Sequence, residues 1–246
     1  MDLISATDVV FAKTLVGSTV AYLLNSYIQK LRNQPREPLL PARDAIRTYK
    51  ATSTALQATR SIAKTLKQLK RQCMVFYGSQ TGTAERLAYQ FSKEARVRFG
   101  LECIVADLND YDCEDILDLS KEHALVFFLA TYGKGEATDN AVAFDKYLKV
   151  LASGNITKKS TLRYAGFGLG SSSYFFYNKM IKRLDTALTR HGAQRAGDIG
   201  LGDDAKGSLE RDYMVWKDNT LLQLASGFGL SERLNKYEPS FSAKIT

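Results

Sequence analysis

The sequence predicts a doubly wound α/β domain, a parallel sheet with helices on both faces, beginning near residue 72. Two observations carry this expectation. Strand-length apolar runs recur with helix-patterned segments between them, and they are apolar throughout, as strands covered on both faces are. The first run leads into YGSQTGTAE (77–85), a turn crowded with hydroxyls and glycine that opens a helix. In such sheets a ligand binds beyond the carboxyl ends of the strands, where the strand order reverses.

In chain order, the first feature is VVFAKTLVGSTVAYLLNSYI (9–28). Twenty helical residues cover roughly 30 Å, about the hydrocarbon thickness of a bilayer. Lys13 lies near one end, where it can snorkel, and Gly17, Ser18 and Thr19 dilute the centre. The stretch reads as a membrane-anchor helix, with a buried or interfacial helix as the alternative. Asp2 and Asp8 precede it, and Lys30, Arg32 and Arg36 follow. The positive-inside tendency then puts the rest of the chain in the cytosol. A cleaved signal peptide would need a basic n-region, which is lacking. Pro35, Pro38 and Pro41 mark a stiff spacer. Residues 42–71 are basic and rich in Thr, Ser and Ala, and Ile62, Leu66 and Leu69 form a thin apolar stripe. That pattern fits a partly helical tether or a basic amphipathic helix on an anionic membrane face.

The strand candidates are CMVFYG (73–78), ECIVADL (102–108), ALVFFLAT (124–131), RYAGFGLG (163–170) and a weak RAGDIGLG (195–202). Helical patterns occupy 82–98, 141–151, 175–190 and 208–224. The expected organisation is therefore an anchor at 1–30, a basic linker at 31–71, the α/β domain at 72–226 and a connecting segment from 227 to 246.

Bulk properties exclude some functions. The net charge is +8, but residues 1–70 hold 11 of the 34 basic and only 4 of the 26 acidic residues. The remainder is close to neutral, so the charge is no argument for a nucleic-acid partner. Three cysteines without a CxxC pair, two of them in strand-like runs, read as reduced thiols.

The loops after the strands carry the chemistry. In the first, a helix N-terminus offers free N–H groups and the positive end of the helix dipole, which suits an anion. Ser79, Thr81 and Thr83 add hydroxyls, and Gly82 lets the backbone approach closely. Without the lysine of a triphosphate-binding loop, the set fits a monophosphate ester without a metal. The third and fourth loops, ATYGKGEATDNA (130–141) and GFGLGSSSYFFYNKM (166–180), bring two aromatics, Tyr132 and Tyr174, suited to sandwiching a flat ring. The fifth brings Asp203 and Asp204. GFGLG alone is a weak dinucleotide signal, since it lacks the GxGxxG spacing.

YGSQTGTAE, ATYGKGEATDNA, FGLGSSSYFFYN and GDDAKGSLERDYMVWKD, in this order over about residues 72–225, resemble the four flavin-site segments of the FMN domain of fungal NADPH–cytochrome P-450 reductases. KYEP (236–239) resembles the start of that family's connecting segment. The resemblance implies a flavodoxin-like fold with sheet order 2-1-3-4-5. It implies FMN as cofactor, with Gln80, Thr81, Gly82, Thr83 and Ala84 around the phosphate and Ser79 beside them. Tyr132 and Tyr174 would flank the isoalloxazine. Thr131, Gly133 and Gly135 would border its edge, where a backbone carbonyl can accept from the ring N–H. Leu169 and Gly170 would touch the ring through backbone, followed by Ser171 where the family has asparagine. Asn178 would support the loop, and Asp204 would lie near the ribityl chain or the dimethylbenzene edge. No catalytic side chain and no metal is implied.

The resemblance also implies a tethered electron carrier on the cytosolic face of the endoplasmic reticulum. Electrons would come from an FAD- and NADPH-binding module, in a longer chain or in trans, and pass to haem proteins of the cytochrome P-450 type. The FAD/NADPH part is not expected within these 246 residues. The sequence departs from the family at Lys134 and Phe175, where acids are usual, at Ala137 for proline, and at Arg211 within an acidic run. Family acids near these loops dock basic haem proteins, so two reversed charges weaken that patch. A flavin-free docking scaffold and a soluble flavodoxin-like carrier are the alternative functions.

Overall fold

The computed structural model describes residues 59–233. The expected anchor at 9–28, the spacer and linker up to residue 58, and the segment from 234 lie outside the described residues. Among the described residues no helix is long and apolar enough to cross a membrane.

Strands β1 (Cys73–Gly78), β2 (Cys103–Asp107), β3 (Ala124–Tyr132) and β5 (Arg163–Gly170) form the parallel centre of the sheet in the order β2-β1-β3-β5. Val75 stands opposite Val105 and Val126, and Val126 stands opposite Ala165. The expected fifth strand is in fact two short ones, β6 (Gln194–Arg195) and β7 (Gly200–Asp203), both parallel to β5. The chain leaves the extended conformation between them at Gly197, with φ of 87°. One strand was not expected. After β3 the chain turns back as β4 (Glu136–Ala137), antiparallel to β3. The simple order 2-1-3-4-5 is thus modified at the β5 edge and by this hairpin.

Among the described residues five α-helices accompany the sheet: α1 (Ile62–Gln68), α2 (Thr83–Glu94), α3 (Val142–Ser153), α4 (Lys179–Arg190) and α5 (Leu209–Gly227). A π-helical turn, Ala95–Phe99, extends α2. Alternation along each strand splits the core into two layers. Met74, Phe76, Leu125, Phe127 and Tyr164 face α1, α3 and α4. Cys73, Val75, Val126, Phe128 and Phe167 face α2 and α5, where Phe128, Phe167, Tyr213 and Trp216 form an aromatic cluster. The three cysteines are free. Burial, with the charges of Asp115 and Asp112, pushes the Cys113 thiol up to about 12, so it remains protonated.

The largest difference from the sequence reading is at the N-terminal boundary. The last turns of the expected linker belong to the domain. Ile62 and Leu66 are fully buried in the first core layer, against the 3-10 helix Cys113–Asp118. Ser61 caps α1, accepting from the Lys64 N–H at 3.2 Å. Asp115 completes the cap from outside, accepting from the Ser61 hydroxyl at 2.6 Å and the Ala63 N–H at 3.1 Å. The apolar stripe is thin because α1 presents only a narrow face.

Helix α4 also begins later than expected. Residues 171–178 are turns, closed by Tyr174 N–H to Ser171 O at 3.1 Å and Tyr177 N–H to Tyr174 O at 3.2 Å. Asn178 then sits in the left-handed region, at φ of 53°, and the helix starts after it.

Candidate cofactor site

Strands β1, β3, β5 and β7 deliver to one end of the sheet four loops, the first, third, fourth and fifth of those expected. The first is the turn from β1 into α2. Gly82 is its pivot, at φ of 86°, a conformation open to glycine and costly for other residues. Its N–H is spent within the turn, donating to Ser79 Oγ at 2.9 Å. Thr81 and Thr83 place their hydroxyls 3.4 Å apart. As the N-cap residue, Gly82 offers α2 no capping side chain. Among the described residues the first-turn N–H groups of α2 have neither an intrahelical partner nor a side-chain cap. Chain neighbours aside, a Cβ added to Gly82 would meet no atom of the described residues within 4 Å. The result is an open cradle of N–H and hydroxyl donors at the positive end of a helix, which fits an anion.

The loop after β3 is the hairpin turn from Tyr132 to Glu136, closed by Gly135 N–H to Tyr132 O at 3.0 Å. Tyr132 is 60% exposed. Gly135 is where this hairpin rests on the next loop: an added Cβ would lie 2.5 Å from Lys179 Cδ and 2.7 Å from Phe176 Cβ. Thr131 also joins the two loops, because its hydroxyl oxygen accepts from the Met180 N–H at 3.3 Å, in the first turn of α4.

The loop after β5 displays Tyr174, 66% exposed, and Phe175, 94% exposed. Beneath it Asn178 is fully buried and donates to Gly202 O at 3.1 Å, while its Oδ1 has no partner among the described residues. Leu169 turns its side chain into the second core layer, leaving its backbone at the site. Gly170 O accepts from the Asp204 N–H at 2.9 Å, which fastens the fifth loop to the fourth.

Of the two adjacent acids, Asp204 is exposed and Asp203 is buried. Asp203 Oδ1 accepts from the N–H groups of Ser172 at 2.9 Å and Ala205 at 3.2 Å. The Ser172 N–H, with Lys206 Nζ 3.3 Å from the other oxygen, holds its carboxyl below the usual carboxylate range. Its contribution to stability is therefore complete above the ordinary aspartate pKa of about 3.9 and is lost as pH falls through the lower folded value. Asp203→Asn should flatten the acid side of a stability-against-pH curve, measured by denaturant unfolding between about pH 5 and 2.5. An unchanged slope would remove this role.

Two groups singled out by the sequence are thus supports in this structure, Asn178 beneath the fourth loop and Asp203 between the fourth and fifth. Gln80 is engaged too, donating from Nε2 to Asp139 Oδ2 at 3.1 Å. Sequence reasoning missed Asn140, Thr138 and Asp107, which join the first, second and third loops. Thr138 and Asn140 lie within the TDN string after the third strand, but no spacing rule shows that Asn140 reaches back to Ser79.

The Flavodoxin family model matches residues 75–216. The NADPH–cytochrome P450 reductase of Aspergillus fumigatus is 40% identical over 241 residues, covering 95% of this chain and 34% of that protein. The enzyme of the same name from Candida maltosa is 42% identical over 192 residues, covering 78% of this chain and 28% of its own length. The chain thus spans about a third of the length of the curated relatives it matches. With a parallel sheet whose loops converge on an open anion cradle and two exposed tyrosines, and with that match across most of the described domain, the chain belongs to the flavodoxin family.

Proposed function

We propose that this domain binds FMN and carries electrons. The observation that supports the reading most directly is the uncapped N-terminus of α2, with open space over Gly82, on the same end of the sheet as exposed Tyr132 and Tyr174. The backbone N–H groups of Thr83 and Ala84, with the hydroxyls of Thr81 and Thr83, would hold the phosphate. Tyr132 and Tyr174 would cover the ring faces and exclude water from them. The edge would meet the backbone of residues 131–135 and 169–171, with Asp204 at the rim. FMN bound there would supply reversible one- and two-electron chemistry, and the protein would tune it through stacking, backbone hydrogen bonds and nearby charge.

The relatives are NADPH–cytochrome P450 reductases, which extends the proposal to partners. Electrons would enter from an FAD/NADPH reductase module, in a longer polypeptide or in trans, and leave to haem proteins of the cytochrome P450 type. Residues 9–28 would tether the domain to the endoplasmic reticulum membrane, facing the cytosol.

Titration of FMN into the purified chain, read by quenching of flavin fluorescence, tests the cofactor. Saturable one-to-one binding is the expected result. Absence of binding by a folded protein would favour a flavin-free scaffold. Tyr174→Ala should weaken FMN binding by about tenfold, since base-like rings stacked on aromatic side chains gain about 1–3 kcal/mol each. An affinity within twofold of the parent would remove the stacking role.

A further inference from the structure

We propose that Asn140 and Asp107 are positioning residues that lock the anion cradle, so that they govern affinity for the phosphate of the cofactor rather than for its ring. The inference rests on the FMN reading above. A continuous hydrogen-bonded path supports it. Asn140 Oδ1 accepts from the Ser79 N–H at 3.0 Å and from the Thr138 hydroxyl at 2.8 Å. Asn140 Nδ2 donates to Asp107 Oδ2 at 3.0 Å and to Tyr77 O at 3.4 Å. One orientation of the amide satisfies all four partners, two as acceptor and two as donor, and no other side chain of this size offers both.

Asp107 is fixed in turn. Its Oδ1 accepts from the Asn109 N–H at 2.8 Å, so the carboxylate caps the short turn after β2. Asn109 O accepts from Arg60 Nη2 at 2.9 Å, and Arg60 Nε lies 2.9 Å from Asp112 Oδ1. The path therefore runs from Arg60, just before the cap of α1, across the end of β2, to the first residue of the cradle.

The consequence lies at Gly82. With its N–H held by Asn140, Ser79 keeps Oγ turned to accept from Gly82. That contact sets the left-handed turn that aims the first N–H groups of α2 outward. A second clamp lies alongside, where the Gln80 amide donates to Asp139 Oδ2 at 3.1 Å and accepts from the Asp139 N–H at 3.4 Å. The ring-flanking tyrosines take no part in either clamp. A fault at Asn140 should therefore be felt by the phosphate end of a ligand and little by the ring.

The test is a polarity swap in the full chain. Asn140→Asp sets two carboxylates against each other where a donor is required. Asp107→Asn combined with Asn140→Asp reverses donor and acceptor between the two positions, leaves net charge unchanged and restores every bond except the one to Tyr77 O. Asn140→Asp should weaken FMN binding by about tenfold or more, the scale of a lost hydrogen bond with an unpaired polar group. Riboflavin, which has the ring and ribityl chain without the phosphate, should stay within about twofold. The swapped pair should bring FMN back to within about threefold of the parent.

Amide hydrogen exchange at Ser79 and Gly82 supplies a readout that needs no ligand. Both should exchange at least about tenfold faster in Asn140→Asp and return in the swap. Equal losses for FMN and riboflavin, an unchanged FMN affinity, or a swap that folds with the parent's thermal midpoint and fails to recover would each overturn the proposal. So would unchanged exchange rates. A parent protein that binds no FMN while the exchange pattern follows the swap would count against the cofactor and leave the locking role standing.

Discussion

Gly82→Ala should reduce affinity for FMN by about a hundredfold, through two separate effects. The first is conformational. Gly82 has φ of 86°, and a side chain there costs about 1–2 kcal/mol relative to glycine. The altered turn escapes that strain by leaving the left-handed region, and binding must then restore it. The second is occupancy. The Cβ would enter space in which, chain neighbours aside, no atom of the described residues lies within 4 Å, above donors that an anion has to approach closely. A weakened hydrogen bond to a charged group removes about 1.5–3 kcal/mol. Together the two effects amount to about 3 kcal/mol, hence the hundredfold. The fold should survive, since the turn is outside both core layers. Fluorescence titration with FMN, and with riboflavin as the control, checks this. An FMN affinity within threefold of the parent would mean that the anion does not sit over Gly82.

How far the sequence revealed this arrangement depended on the range of the interactions. The strand runs from 73, 102, 124 and 163 were legible because burial on both faces leaves continuous apolar composition. The turn 77–85 was legible because it concentrates hydroxyls and glycine in one place. The split of the last strand into Gln194–Arg195 and Gly200–Asp203 was not, since a weak run with three glycines does not show which of them ends the pairing. Asn140 was inconspicuous for another reason: its partners Ser79 and Asp107 are brought together by the order β2-β1-β3, and a pattern along the chain does not record that. The role of Asp203 was hidden similarly. It was expected at the rim beside Asp204, whereas it is buried and holds residues 172 and 205 in place.

Helix α1 gives the clearest case and the second large prediction. A chain begun at residue 72, the boundary suggested by composition, should unfold at a temperature about 5–15 °C below one begun at residue 59. Ile62 and Leu66 are fully buried, and each such side chain contributes about 1.5–3 kcal/mol by leaving water. Ordering the seven-residue helix costs about 1–2 kcal/mol per residue, which its own backbone hydrogen bonds, the buried Thr65 and the cap from Ser61 and Asp115 largely offset. A net loss of about 2–4 kcal/mol remains, which for a domain of this size corresponds to a shift of several degrees per kcal/mol. Removal also uncovers part of the first core layer beside the 3-10 helix Cys113–Asp118, so the shorter chain should aggregate more readily. Leu66→Ala isolates the packing contribution and should cost about 2–5 kcal/mol, whereas exposed Lys67→Ala should leave the midpoint within about 0.5 kcal/mol of the parent. Equal midpoints for the two chain starts would show that α1 docks without stabilising the domain. The expected loss would instead make residues 59–69 part of the folding unit. The path from Arg60 to Asn109 O would then begin in a segment the domain needs in order to stand, and the attachment of the preceding chain would lie one hydrogen-bonded network away from the anion cradle.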